Sequence, residues 1–217
     1  MKVVCIAYRK WAKDIYTNIS NKDLKSNFFK FYDKNHISFK FLKNIMPDLI
    51  LWYGWSSKIE KQIIREFYNV MLHPSPLPKY RGGSPIQNQI INGEKNSAVT
   101  LFKMDEGIDT GDIIYQEKFS LEGDLQDVFD RITEIGTNLT LKMIYNFGNL
   151  NLKKQNENNS TYFSRRSPSQ SEIVINDINS CTAEELHNKI RSLQEPYPNA
   201  YIKCKNGTKL YLIKSRL

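Results

Sequence analysis

Residues 47–73 read PDLILWYGWSSKIEKQIIREFYNVMLH. After the turn at Pro47, Asp48 to Trp52 is a short continuous apolar run, the pattern of a central strand buried on both faces. Lys58 to Phe67 carries apolar residues at 59, 63, 64 and 67, the spacing of one helix face. Val70 to Leu72 is a second buried strand and ends at His73. Strand, helix and strand in this order form a βαβ unit, which builds a parallel sheet through a right-handed crossover.

The same alternation extends outward. Residues 2–8 (KVVCIAY) read as a buried strand, 11–20 as a helix, 28–32 as a strand and 37–45 as a short helix stopped by Pro47. Downstream, 85–91 suits a helix closed by Asn92-Gly93, and 98–104 and 113–119 suit strands. A longer helix is expected over 125–147. Six asparagines then fall between 146 and 159, a composition that suggests a linker. The last part predicts a helix from 182 to 193, with Thr182 as N-cap and Glu185 completing a capping box. Two short strands, 199–204 and 208–213, follow around Asn206-Gly207, a strong hairpin signal. The expected organisation is an α/β core over 1–148, a linker over 149–160 and a small subdomain over 161–217.

Composition bounds the function. The chain has 217 residues, a formal net charge of +8, three cysteines and three histidines. No apolar run reaches the roughly 20 residues of a membrane span, and no signal peptide is read at the start, so no membrane partner is expected. Cys5, Cys181 and Cys204 show neither disulfide nor metal-ligand spacing. A reducing, cytoplasmic setting and no metal are expected. The positive charges are dispersed, so a lysine-rich solvated surface is preferred over a nucleic-acid site, and a phosphate-bearing small molecule needs only a few cations. The first strand is followed by Arg9-Lys10-Trp11 and not by G-x-G-x-x-G, which argues against a dinucleotide site.

Chemistry concentrates in residues 73–112, HPSPLPKYRGGSPIQNQIINGEKNSAVTLFKMDEGIDTGD. His73 lies at the carboxyl end of a strand, where open α/β sheets bind ligands. Pro74, Pro76 and Pro78 stiffen the loop behind it. Arg81-Gly82-Gly83 would let the backbone approach a ligand closely. Ser84-Pro85 suits an N-cap and first helical residue, and a helix N-terminus favours anions. Asp109, between Gly107 and Gly111, is the acid that such a loop could aim inward. A His–Asp pair can take a proton from an attacking nucleophile. No Ser or Cys stands in a nucleophile elbow, so direct transfer is expected. On residue types alone a satisfied loop histidine is the competing reading, and chemistry stops at an α/β enzyme with a site at 73 and 105–112.

Three segments carry a resemblance: HPSPLPKYRGGSPIQ (73–87), INGE (91–94) and AVTLFKMDEGIDTGDIIYQE (98–117). Together they resemble the signature of the 10-formyltetrahydrofolate-dependent formyltransferases. The resemblance implies an abbreviated Rossmann-like formyltransferase core with a parallel-rich mixed sheet, plus a small C-terminal helix and β-hairpin. It implies His73 and Asp109 as the catalytic pair and 10-formyltetrahydrofolate as co-substrate. WYGWSSK (52–58) is similar to the family's folate loop, which implicates Tyr53, Gly54, Trp55, Ser56 and Ser57, with Asp105, in holding the cofactor. Lys79 and Arg81 are candidates for binding the substrate's diphosphate or the folate tail, and Gly82 and Gly83 would permit close approach of the substrate. TYFSRRSPSQSEI (161–173) and EPYPNAYIK (195–203) resemble the tails of amino-sugar formyltransferases. In one respect the chain departs from the family. The usual Asn two residues before the His is Met71 here, so the amide that would stabilise the oxyanion is missing.

The expected reaction is formyl transfer to the amine of a nucleotide-linked amino sugar, such as a dTDP-4-amino-4,6-dideoxyhexose, for surface polysaccharide synthesis. No nucleic-acid partner is expected, and a homodimer through the tail fits. Two other readings stand beside it. A methionyl-tRNA formyltransferase would need a large basic C-terminal domain, and the sequence after the long helix is short. A non-catalytic folate or nucleotide binder is the reading that Met71 motivates.

Overall fold

The computed structural model describes residues 1–32 and 37–217; His36 lies outside them. The core elements are β1 (Lys2–Ile6), α1 (Lys10–Lys22), β2 (Asn27–Phe31), α2 (Phe39–Ile45), β3 (Leu49–Tyr53), α3 (Lys61–Glu66) and β4 (Asn69–His73). Then come β5 (Arg81–Gly82), α4 (Pro85–Ile91), β6 (Asn96–Lys103), β7 (Ile113–Ser120) and α5 (Leu125–Tyr145). The tail holds β8 (Tyr162–Phe163), α6 (Ile175–Ser180), α7 (Ala183–Ser192), β9 (Ala200–Lys203) and β10 (Lys209–Leu212).

Six strands form one sheet in the order β2-β1-β3-β4-β6-β7. The first four are parallel, β6 is antiparallel to β4, and β7 is antiparallel to β6. This is the expected parallel-rich mixed sheet. Its central strands are continuous apolar runs because both faces are covered. Val3, Cys5, Leu49, Leu51, Val70 and Leu72 pack with Ile15 of α1 and Ile132 of α5. Their alternates Val4, Ile6, Ile50 and Trp52 pack with Leu42 of α2 and Ile63 of α3. Cys5 is fully buried, and that burial pushes its thiol well above the ordinary range, so it is a core residue. Among the described residues no helix is long and apolar enough to cross a membrane.

The tail carries a small core of its own, Ile173, Ile190, Leu193 and Ala200. Thr182 and Glu185 make the expected capping box, and β9 pairs antiparallel with β10. Arg191 fastens α7 to the main body by donating to the Leu121 carbonyl at 2.7 Å. Residues 149–160, expected as a linker, run against the core. Lys153 bridges Ile113 at the start of β7, and β8, just beyond, pairs parallel with β5.

One side chain ties the strand ends together at the carboxyl edge of the sheet. Tyr16 of α1 is fully buried. Its hydroxyl lies 3.0 Å from the Ile6 carbonyl and 2.9 Å from the Leu51 carbonyl, and it accepts the Tyr53 N–H at 2.9 Å. Burial raises its phenol far above the usual range, so it stays protonated and available as a donor. Tyr16→Phe would leave the Tyr53 N–H and two carbonyls without this partner. A loss of about 1–3 kcal/mol is expected, read from urea unfolding. An unchanged midpoint would show that water replaces the hydroxyl.

Candidate active site

Along β4 the side chains alternate, so Asn69, Met71 and His73 share one face of the sheet. His73 ends the strand at the carboxyl edge and is only 5% exposed. Its Nε2 lies 2.8 Å from the Tyr80 carbonyl oxygen. A carbonyl oxygen can only accept, so Nε2 carries a proton, and in the neutral ring Nδ1 holds the lone pair. Nδ1 lies 3.6 Å from Asp109 Oδ2. That is too long for a hydrogen bond and short enough for a strong charge contact once Nδ1 is protonated.

Asp109 is also buried and takes a left-handed backbone at φ 56°. Its Oδ2 accepts the Gly82 N–H at 2.8 Å. Asp105 and Glu106 turn elsewhere. Asp105 is exposed and accepts the Gly107 N–H at 3.0 Å and the Thr110 hydroxyl at 2.6 Å. Glu106 binds Arg65 at 2.6 Å and Lys61 at 2.8 Å, and these α3 cations hold its carboxyl down at about 2. Of Asp105, Glu106 and Asp109, only Asp109 is brought to the histidine.

Tyr80 at φ 59° and Ser84 at φ 52° are left-handed as well. Such conformations in non-glycine residues cost about 1–3 kcal/mol each and gather at functional sites. Ser84 does not cap α4 as expected, because that backbone turns its hydroxyl away; the hydroxyl accepts the Arg166 N–H at 3.2 Å.

The expected folate loop divides into core and edge. The Tyr53 side chain faces inward, with its hydroxyl 2.9 Å from that of Thr140 and its ring against Tyr16. Its main-chain N–H is also engaged, by the Tyr16 hydroxyl, so Tyr53 belongs to the core. Gly54 follows, and Trp55 packs its ring between Tyr8 and Trp52. The Trp55 indole N–H is buried and has no acceptor among the described residues. The Ser56 hydroxyl bonds that of Tyr8 and accepts Arg165 Nη1 at 3.0 Å, while Ser57 is exposed.

On the substrate side, Lys79 is exposed, whereas Arg81 is buried and engaged. Its guanidinium binds both carboxylate oxygens of Glu157, at 2.7 and 2.8 Å, and the Gln155 side-chain oxygen. Glu157 raises the Arg81 pKa, and Arg81 in turn lowers that of Glu157. The close approach that Gly82 and Gly83 allow is to the chain itself. A Cβ on Gly82 would strike the Phe163 carbonyl and the Tyr162 ring, and one on Gly83 would strike the Arg165 backbone. These glycines are there because β8 lies directly on β5. Three contributors were not visible in the sequence: the Tyr80 carbonyl, Gln155 and Glu157. The run around the last two is polar and asparagine-rich and shows no periodicity that would mark them.

Residues 7–144 match the formyl transferase family model. The methionyl-tRNA formyltransferase of Finegoldia magna is 32% identical over 174 residues, covering 77% of this chain and 54% of that protein. The chain thus spans about half the length of that curated relative. A solved methionyl-tRNA formyltransferase from Clostridium thermocellum superposes with TM-score 0.85 at 31% identity, covering 97% of this chain and 96% of that one. A 4-N formyltransferase from Francisella tularensis superposes with TM-score 0.82 at 22% identity, covering 100% and 98%, a likeness of fold.

Two outcomes follow from the geometry. Gly82→Ala combines a left-handed φ of 93° with collision against β8. It should cost about 2–4 kcal/mol by denaturant unfolding, and a loss under about 0.5 kcal/mol would show that β8 is not seated on β5. The second concerns pH. The depressed Glu106 carboxyl contributes stability that is present above its ordinary value of 4.5 and is lost as pH falls toward about 2. Glu106→Gln should therefore flatten the acid limb of a plot of urea midpoint against pH in that window; an unchanged limb would count against the contact.

Proposed function

The chain belongs to the formyl transferase family, and on that premise we propose that it transfers a formyl group from 10-formyltetrahydrofolate to a primary amine, with His73 as proton acceptor and Asp109 as its partner. The observation that carries this reading is the His73 ring. Nε2 is fixed as a donor by the Tyr80 carbonyl, and Nδ1 is left basic beside a buried carboxylate.

An amine must shed a proton as its nitrogen bonds to the formyl carbon, and Nδ1 is the group placed to take it. The imidazolium so formed has an acceptor on each side, the Tyr80 carbonyl and Asp109. The Gly82 N–H keeps Asp109 from turning away. The residues also suit the folate. The Trp55 N–H, without an acceptor among the described residues and beside the main chain of 54–57, offers a donor to the polar edge of a pterin. When bound, the co-substrate supplies the formyl group. Exposed Asp105 stands at the outer end of the acidic loop and would reach it only from the solvent side.

We put a nucleotide-linked amino sugar first as acceptor. One segment that resembles amino-sugar formyltransferase tails, 161–173, supports it, because it touches the loops of the candidate site: Arg165 reaches Ser56, and the Arg166 backbone rests on Ser84. Lys79 is an exposed cation for a diphosphate. The engaged Arg81 would act by holding the loop. A second reading, an aminoacyl-tRNA acceptor, is favoured by the relatives at 31–32% identity, whose names carry that substrate.

The test is tetrahydrofolate release from 10-formyltetrahydrofolate, followed by absorbance, with dTDP- and UDP-linked amino sugars and with methionyl-tRNA. Turnover on a sugar nucleotide is expected. His73→Asn and Asp109→Asn should each lower kcat by about 10²–10⁴-fold in folded protein. Turnover on the tRNA alone would select the second acceptor. Folate binding without turnover on any amine would leave a binding protein in place of an enzyme. A His73→Asn variant with near-normal turnover would sink the site assignment.

A further inference from the structure

We infer that Gln155 is a positioning residue that holds Asp109 against His73, with Arg81 and Glu157 as its anchor. The inference rests on the reading of His73 and Asp109 as the reacting pair. The Gln155 amide nitrogen donates to the Asp109 carbonyl at 2.8 Å and to the Gly111 carbonyl at 2.7 Å. Its oxygen accepts Arg81 Nε at 3.1 Å and Nη2 at 2.8 Å. Two donors and two acceptor positions are the whole capacity of a side-chain amide. Turning the group over would set an oxygen against two carbonyls and an NH₂ against a guanidinium, so only one orientation is stable.

The anchor is equally specific. Arg81 is 6% exposed, and a buried guanidinium needs an anion. Glu157 supplies it with a two-pronged contact, Nη1–Oε2 at 2.8 Å and Nη2–Oε1 at 2.7 Å. The next residue, Gly82, donates its N–H to the Asp109 carboxylate. A closed circuit results: Asp109 carboxylate, Gly82 backbone, Arg81 side chain, Gln155 amide, Asp109 carbonyl. It grips both the side chain and the main chain of the one acid that faces His73. Asp109 occupies a left-handed backbone that an aspartate leaves readily when unrestrained. Without the circuit the carboxylate would drift from Nδ1, and displacements near 1 Å at a reacting group cost about 100-fold in rate.

Gln155→Glu separates this role from simple attachment of the tail. It keeps the side-chain length and the Arg81 contact, but it replaces both N–H donors with oxygen facing two carbonyls. The experiment uses the full chain and two readouts: hydrogen exchange of the Gly82 amide by NMR, which needs no turnover, and steady-state formyl transfer. The Gly82 amide should exchange about tenfold faster or more. Turnover should show kcat lowered about 10- to 100-fold with the folate KM within about twofold. In an Asp109→Asn background the same change should cause no further loss, since residues acting through one group are not additive. If Gln155→Glu fails to fold, Gln155→Met removes both N–H donors without the new charge, together with the Arg81 contact, and the Gly82 amide is read in the same way. Unchanged Gly82 exchange, or losses that multiply with Asp109→Asn, would overturn the inference. A silent wild type would overturn only the formyl-transfer reading, and the Gly82 amide would still decide for or against the positioning role.

Discussion

The hydrogen bond from His73 Nε2–H to the Tyr80 carbonyl, 2.8 Å long, is the contact around which the site is arranged. It fixes which nitrogen of the ring is basic and turns that nitrogen toward Asp109. For the carbonyl to point back at the strand, Tyr80 must adopt a left-handed backbone, and several contacts compensate for the strain. Its ring stacks on Phe163 with centroids 4.9 Å apart, its hydroxyl donates to Glu94 at 2.9 Å, and its N–H donates to the Thr161 hydroxyl at 2.8 Å. Two of these three partners come from β8 and the residue before it. The tautomer of the histidine is therefore set by a segment far downstream in the chain.

Strain and support follow one pattern across the site. Tyr80, Ser84 and Asp109 are all left-handed without being glycine, and each is held by the stretch between α5 and the tail core. Thr161 and Phe163 hold Tyr80, Arg166 meets Ser84, and Gln155 takes the Asp109 carbonyl. The sheet beneath needs no such bracing in its parallel half. There the register is regular, and apolar residues fill both faces. A rigid sheet edge thus presents His73, and a second layer of polar contacts aims its partner.

The sheet was legible because its signal is local. The run from Leu49 to Trp52 and the apolar spacing from Ile59 to Phe67 each declare an element without reference to the rest of the chain. His73 and Asp109 were legible through their loops, where proline and glycine mark rigid or unusual backbone. The support was not. Gln155 and Glu157 lie among asparagines and lysines whose composition describes a solvated connector, and a two-residue strand such as β8 leaves no periodicity to read. Gly82 and Gly83 did signal close approach, but a sequence cannot say what approaches. Here it is the chain's own backbone at Phe163 and Arg165. Arg81 misled in a related way: a cation in a glycine loop suggests an anionic ligand, and the anion turned out to be Glu157.

Three residues of β4 share the face that leads to the site, and the chemistry of each bears on how charge can be met there. Asn69 cannot substitute for the amide that Met71 lacks. Its two N–H groups donate to the Ile63 and Phe67 carbonyls at 2.9 and 2.7 Å, and its oxygen accepts the Trp52 indole at 2.8 Å. It is spent on closing the turn from α3 into the strand. Met71 packs against the Trp52 side of the core and offers no donor. On the formyl-transfer reading, the charge that forms on this face is that of the His73 ring once Nδ1 has taken the proton of the amine. The 3.6 Å gap to Asp109 matters for that step. At that distance the carboxylate stabilises the imidazolium as a charge without binding the new proton in a hydrogen bond. With neither Asn69 nor Met71 offering a free donor, the charge this face of the sheet is built to meet is that of the imidazolium, and it is met only while the Gly82 and Gln155 contacts keep Asp109 in place.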